Sequence, residues 1–320
     1  MSTPDSELLR IEVAPDEDGG RLDALLVRHV SGVGRKGAAA LIADGAVRIE
    51  RSSSATPRPM WRKGEQVSAG DVVLVTLTAA ALARAIPSTA PPTPRAHAAV
   101  ILLHEDAHVL VVCKPAGLPS HPLHPDETET AANHLAWLDP GCAASGGPPR
   151  EGGLCHRLDT LTSGLLLAAR TPEAYRELRR QFQAHEVEKT YAALVHGTPP
   201  SAGQVDAPIL SRRGHRAVQA GQGLPARTSY RRVRSFHGAA LVEAVTRTGR
   251  RHQIRAHLAL DGHPLVADEL YGGGALPGWS LGPLLHASRV TFRHPAWGRQ
   301  LTLDAPLPTA VQQALDRLQA

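Results

Sequence analysis

Cysteine is scarce in this chain of 320 residues, which holds only Cys113, Cys142 and Cys155. An odd count without a C-x-x-C pair excludes a disulfide framework and a cysteine-type structural zinc site, and it fits a reducing cytoplasm. The start, "MSTPDSELLRIEV", lacks the basic-then-apolar order of a secretory signal, and no apolar run reaches membrane-spanning length. No internal repeat is visible. Acids do not cluster, so the ligands of a two-metal centre are missing. Among 17 histidines, the pairs His121/His124 and His252/His257 lack cysteines or acids at ligand spacing. Surface or packing roles are expected for them, and no metal is expected. Lysine is limited to four residues and aromatics to 3%, so an aromatic ring near polar chemistry carries weight.

What is present points to a large folded protein with an anionic partner. Hydrophobic residues make up 42% of the chain, enough for a sizeable core. The net charge is +5, and its distribution is uneven. Arg21 to Lys63 holds nine Lys/Arg against three acids, and Ser211 to His257 holds eleven Arg against one acid. Two separated basic segments fit two contact zones on a nucleic acid better than two solvated faces.

Residues 8–78 read as a small unit. "LLRIEV" alternates as a strand, Leu22, Leu25, Leu26 and Val30 share a helical stripe, and a second short helix stops at Gly45. Such a unit would present Arg21, Arg35, Lys36 and Arg48. Residues 79–98 form an Ala/Pro-rich linker, and 99–320 a second domain. There, "HVLVVCKPAG", "GLLLAAR", "KTYAALVHG" and "AALVEAVTRTG" read as strands. "TPEAYRELRRQFQAHEV" is a helix with Thr171 as cap and Pro172 in its first turn. "RRHQIRAHLALDGH" is another helix, "ASRVTFRHP" and "RQLTLDAPLP" a closing hairpin, and "TAVQQALDRLQA" a terminal helix. The stretch 139–153 is expected as a surface loop. Helices and strands mix without strict alternation, so the fold class is α+β, with a mixed, largely antiparallel sheet and flanking helices.

The segment "CHRLDTLTSG" places Asp159 just before an apolar run. A carboxylate at a buried edge needs a cationic partner or it becomes neutral. Arg255, in the first turn of the "HQIR" helix, is a candidate. Two readings stand on the residues alone: Asp159 capping its own turn through Thr160 and Ser163, or a single nucleophile or base. An ordinary glycosidase, with two flanking acids, does not fit.

At this point "HRLDTLTSGLLLAAR" resembles the signature of the RluA-type pseudouridine synthases. "ILLHEDAHVLVVCKPAGLPSHP", "KTYAALVHG", "TGRRHQIRAHLALDGHPLVADELYGG" and "LLHASRVTFRHPAWGRQLTLDAPLP" resemble that family's other blocks in order, across nearly all of 99–308. The segments "GGRLDALLVRHVSGVGRKGAAALIADGAVRIE" and "KGEQVSAGDVVLV" resemble the alpha-L RNA-binding module. The resemblance implies the pseudouridine synthase fold and isomerisation of uridine in RNA, with no cofactor, in the cytoplasm, by a monomer. Ribosomal RNA is the preferred substrate and transfer RNA the runner-up. It implies Asp159 as catalytic aspartate, Arg255 as its paired arginine, and Tyr191 as the ring that stacks on the target base and takes part when C5 loses its proton. Arg157 would meet the flipped nucleotide, with His156, Arg250 and Arg251 as further substrate contacts and Leu258 or its neighbours as an apolar wall. His156 is also expected to shape its turn, and Lys189 to project to solvent.

The chain departs from the family pattern at Cys113, where asparagine is usual, at Thr160 and Leu161 after the aspartate, and at Ala267, where glycine is common. These bear on which RNA is recognised. The rival readings are a catalytically decayed RNA-binding or ribosome-assembly factor, and a nuclease or deaminase. The set of Asp159, Tyr191 and Arg255 counts against the first, and the missing acid clusters and H-x-E…P-C-x-x-C pattern against the second.

Overall fold

A computed structural model describes residues 6–52, 64–78, 81–82, 85, 91–123, 127–211, 218–221 and 223–319. The side chains of Ser6 and Lys36, the residues Arg212, Arg213, Arg216 and His124, and most of 79–90 lie outside that description. The chain divides into two compact units, residues 1–90 with 123–127, and residues 91–122 with 128–320.

In the first unit, β1 (Ser6–Glu12), β3 (Val72–Thr78) and β2 (Val47–Glu50) form an antiparallel sheet with β3 central. Helices α1 (Leu22–His29) and α2 (Arg35–Ala43) supply the rest of the core. Leu22, Leu25, Leu26 and Val30 recur at helical spacing and are buried with Ile11, Val47, Ile49, Val73 and Val75. Alternation in β2 buries Val47 and Ile49 and leaves Arg48 in solvent. Gly45, at φ 72, ends the second helix in the left-handed conformation expected of its position.

The second unit is built on one large sheet. Its order is β4 (Ile101–Glu105), β5 (Val109–Lys114), β6 (Ser163–Ala169), β13 (Leu285–Arg293), β7 (Glu188–His196), β12 (Ala239–Thr246), β11 (Arg227–Phe236) and β8 (Ala202–Asp206), with β14 (Gln300–Asp304) also on β13. A short hairpin, β9 (Ile209–Leu210) with β10 (Gln219–Ala220), stands apart. Every neighbouring pair is antiparallel except β6 and β13, which run parallel. Gly164 permits that join: at φ 116, a Cβ there would lie 2.3 Å from the Ala287 carbonyl oxygen.

Four helices cover this sheet: α3 (Ala131–Leu138), α4 (Pro172–Gln183), α5 (Gln253–Leu260) and α6 (Thr309–Arg317). Strand periodicity decides which face each helix meets. Leu110, Val112, Tyr191, Ala193 and Val242 share a core with Leu135, Ile254 and Leu258. Their neighbours Val109, Val111, Leu165 and Leu167 pack with Ala174 and Leu178 of α4, while Ala192 and Leu194 pack with Val311 and Leu315 of α6. With both faces covered, β6 is buried along its whole length, as its continuous apolar run requires. Thr171 caps α4, its hydroxyl accepting from the Ala174 N–H at 3.2 Å.

Two expectations change, and one departure from the family pattern gains a backbone reading. The second unit begins at Pro91 rather than 99, because the end of the apparent linker is tied to α3. The Arg95 N–H donates to the Asn133 carbonyl at 3.0 Å, and Asn133 Nδ2 donates to the Thr93 carbonyl at 2.8 Å. The stretch 139–153 is not a free loop but two 3-10 turns, Pro140–Ala144 and Pro149–Glu151, with Cys142 and Ser145 buried. Ala267, where the family commonly has glycine, holds φ 61, the backbone state that glycine adopts without strain.

Candidate active site

Asp159 stands on the segment leading into β6, and the "KPAGLPS" turn clasps that segment. The Gly117 N–H and the Lys114 ammonium both donate to the Thr160 carbonyl, at 2.9 and 3.0 Å. Ser120 Oγ donates to the Leu158 carbonyl at 2.8 Å and accepts from the Leu158 N–H at 3.1 Å. Lys114 is fully buried and also donates to the carbonyls of Pro115 and Leu118. Three acceptors around its Nζ suit the ammonium, although burial pulls its pKa down to about 7 against the opposing pull of Asp159. The clasp leaves the Asp159 side chain 32% exposed. The cap reading does not hold: among the described residues no hydrogen bond reaches the Asp159 carboxylate, and Ser163 Oγ is engaged with His286 Nδ1 at 2.8 Å.

The carboxylate opens onto a cavity of about 580 Å³, within the usual range for small-molecule sites. Seven Lys/Arg side chains and two carboxylates line it, so it is suited to an anion. Tyr191 reaches it from β7 and is 9% exposed. Burial, with the Asp159 charge adding to it, pushes the Tyr191 phenol well above its usual range, so the phenol stays neutral. The turn from β12 to α5 contributes Arg250 and Arg251. Gln253 fixes that turn: its Oε1 accepts from the Arg250 N–H at 3.1 Å, and its Nε2 donates to Thr246 Oγ1 at 2.7 Å.

Several expected roles shift. Arg255 lines the cavity but is bound in a bidentate pair to Asp268, at 2.7 and 2.6 Å, not to Asp159. Asp268 is 1% exposed and needs a cation of its own, and Arg255 supplies it. The potential cation within 4.0 Å of Asp159, among the described residues, is His252, with Nε2 3.8 Å from Oδ2. Lys189 does not project to solvent. It is buried, donates to the Thr248 carbonyl at 2.8 Å and lines the cavity, and burial with Arg250 nearby lowers its pKa to about 8. Leu258 is in the core rather than in the wall, and Leu154, Leu158, Ile254 and Leu285 supply the apolar lining.

Arg157 lines the cavity and is exposed. His156 also lines it. Its Nε2 accepts from the Leu167 N–H at 3.1 Å, its ring stacks on Phe182 at 4.9 Å, and burial lowers its pKa to about 3, so it is a neutral fixture of the wall. His257 is a packing residue, bonded to Thr228 Oγ1 and the Ala207 carbonyl. In the first unit, Arg21 pairs with Asp23 at 2.8 Å, Arg35 opens α2, and Arg48 is exposed on β2. Lys114, His252 and its partner Tyr271 were not singled out for the site by their sequence pattern. The "KPAG" turn was the one available signal, for Lys114.

The chain is 36% identical to a ribosomal large subunit pseudouridine synthase D of Xanthomonas campestris, over 99% of this chain and 95% of the relative. It belongs to the RNA pseudouridylate synthase family. The family profile described as RNA pseudouridylate synthase matches residues 108–260, which hold Asp159, Tyr191 and Arg255. A namesake from Neisseria meningitidis is 34% identical over 94% of this chain and 79% of its own length. The solved human RNA pseudouridylate synthase domain containing 4 has a TM-score of 0.53 and 28% identity, over 68% of this chain and 92% of that one. The pseudouridine synthase is thus an isomerase acting on RNA. Its mixed, largely antiparallel sheet and flanking helices agree with the expected class.

Proposed function

We propose that this synthase isomerises a uridine of large-subunit ribosomal RNA, with Asp159 as its catalytic residue. The observation that carries the reading is a carboxylate short of partners, opening onto a basic cavity beside a buried tyrosine. The names of the relatives from Xanthomonas and Neisseria support the large subunit over the runner-up, transfer RNA.

The uridine must leave its stack before the carboxylate can reach the sugar–base junction. Arg157, Arg250 and Arg251 offer cations to the nucleotide and its backbone, while Tyr191 stacks on the extruded base. The N-glycosidic bond breaks, the uracil turns, and C5 joins C1′. One carboxylate suffices whether it attacks the ribose, attacks the base, or takes a ribose proton, because nothing departs for good. Tyr191, held as a neutral phenol at the cavity, takes part by hydrogen bonding as C5 loses its proton. Asp159, free again once the new bond has formed, is the acceptor. Arg255 and Asp268 stiffen the first turn of α5 beside the carboxylate. The exposed Arg35 and Arg48 of the first unit extend the RNA contact as an alpha-L-type module would.

A monomer is the state we propose, with Asp159, Tyr191 and the basic lining drawn from one chain. Among the described residues no helix is long and apolar enough to cross a membrane. Work on ribosomal RNA supports a cytoplasmic location. The test is tritium release from RNA labelled at uridine C5. Asp159→Asn abolishes release while the chain stays folded, whereas equal release by both proteins would remove Asp159 from the mechanism.

A further inference from the structure

His252 is a largely buried titratable group that the proposed chemistry leaves unused. It precedes α5 at φ 53 and ψ 22, a left-handed state that L side chains rarely adopt. Its ring is held edge-on by Tyr271, with centroids 5.7 Å apart, and Nδ1 lies 2.9 Å from the Tyr271 hydroxyl oxygen. That oxygen already accepts the Val218 N–H at 2.8 Å. The hydroxyl hydrogen is therefore free to point at Nδ1, which makes Nδ1 the acceptor and leaves the proton of the neutral ring on Nε2. Nε2 is the atom that faces the Asp159 carboxylate at 3.8 Å.

We infer that His252 is a positioning residue for Asp159, with Tyr271 selecting the tautomer that turns an N–H toward the carboxylate. The inference rests on the reading of Asp159 as the catalytic group. The N–H limits the rotation of a carboxylate that has few other partners, and it stops short of the contact that would quench its reactivity. The charged groups around the imidazole are Asp159, Arg251, Arg255 and Asp268, with Tyr271 packed on its edge. Burial, Arg255 and Arg251 lower its pKa against the pull of Asp159 and Asp268, so the neutral ring prevails at neutral pH, and there the tautomer matters.

The tautomer gives a test that a merely structural role would not pass. Without the tyrosine hydroxyl, the neutral imidazole divides its proton between both nitrogens. Once protonated, it carries an N–H on Nε2 regardless. The full chain is assayed by single turnover at saturating large-subunit ribosomal RNA carrying tritium at uridine C5, from neutral pH into the acid side of the histidine range. Tyr271→Phe slows turnover about tenfold at neutral pH, equal to ~1.4 kcal/mol of barrier. The ratio of wild-type to variant rate then falls toward one as pH drops, with RNA affinity unchanged throughout. His252→Ala shows at least the same deficit at neutral pH. A Tyr271→Phe deficit that is constant across pH, or none at all, overturns the inference. If His252→Ala fails to fold, the pH profile of Tyr271→Phe decides alone. Asp159→Asn separates the two claims: an active Asp159→Asn protein sinks the catalytic reading, whereas an inactive one beside a wild-type-like Tyr271→Phe profile sinks only the role of His252.

Discussion

Two carboxylates of the catalytic unit, Asp106 and Asp159, receive opposite treatment. Asp106 sits in the turn between β4 and β5 with every lone-pair direction answered. Its Oδ1 accepts from the N–H groups of His108 and Val109 at 2.7 and 3.0 Å, and its Oδ2 meets His104 and His294 at 2.8 and 3.0 Å. Burial opposes this, yet the hydrogen bonds win and hold its pKa at about 2. Asp159 has a histidine nitrogen at 3.8 Å and an open cavity. A saturated carboxylate anchors a turn and is lost to chemistry. One left short of partners keeps its lone pairs for a substrate, at a cost in stability that the surrounding clasp offsets. Asp268, locked to Arg255, belongs with Asp106.

The contrast can be broken by substitution. Asp159→Asn has the largest effect on turnover and leaves urea unfolding within ~0.5 kcal/mol of wild type, since the carboxylate holds so little of the fold. A large loss of stability would place Asp159 with the anchors. Asp268→Ala behaves in the reverse sense, leaving Arg255 buried without its partner and costing about 3–5 kcal/mol in the same measurement. Asp106→Asn costs ~2 kcal/mol at pH 7, by conversion of its lowered pKa. The sign follows from the depressed native pKa. The wild-type advantage is present above the unfolded carboxyl value and disappears as pH falls from about 4 to about 2. A gap that persists at pH 2 would show that packing, not charge, holds this turn. The smallest effect is outside the catalytic unit. Arg35→Ala with Arg48→Ala lowers the slope of log affinity against log salt by about 1 to 2, near 0.7 for each phosphate of single-stranded RNA that is no longer neutralised. An unchanged slope would remove both from the RNA interface.

Much of this was legible in the sequence where periodicity and capping act locally. The stripe of α1, the Thr171 cap of α4 and the apolar run of β6 each state their structure within a dozen residues. Strands β4, β8 and β11 and helix α3 were not read. In β11 the buried Thr228 and Tyr230 alternate with arginines that dominate the pattern, and in α3 the burial of Ala131 to Ala136 on nearly all sides leaves no amphipathic stripe. At the site, the residues drawn from ordered blocks fall around one cavity: Asp159, Tyr191, Arg157, Arg250 and Arg251. Their partners were harder. Arg255 feels the Asp159 charge, but its hydrogen bonds go to Asp268, which in "PLVADELYGG" looks like a surface acid until the fold buries it. Nothing local marks His252 as left-handed, and its meeting with Tyr271 depends on a turn 19 residues away.

The tether of Pro91 to Ala98 on α3 sets where this protein can be cut. An independently expressed catalytic half that starts at Ala99 would strip the acceptor from the buried Asn133 amide, the donor from the Asn133 carbonyl, and the His97 N–H from His134 Nδ1. Each orphaned group costs about 1–3 kcal/mol, so a truncation that respects the chain starts at Pro91 and keeps the strap.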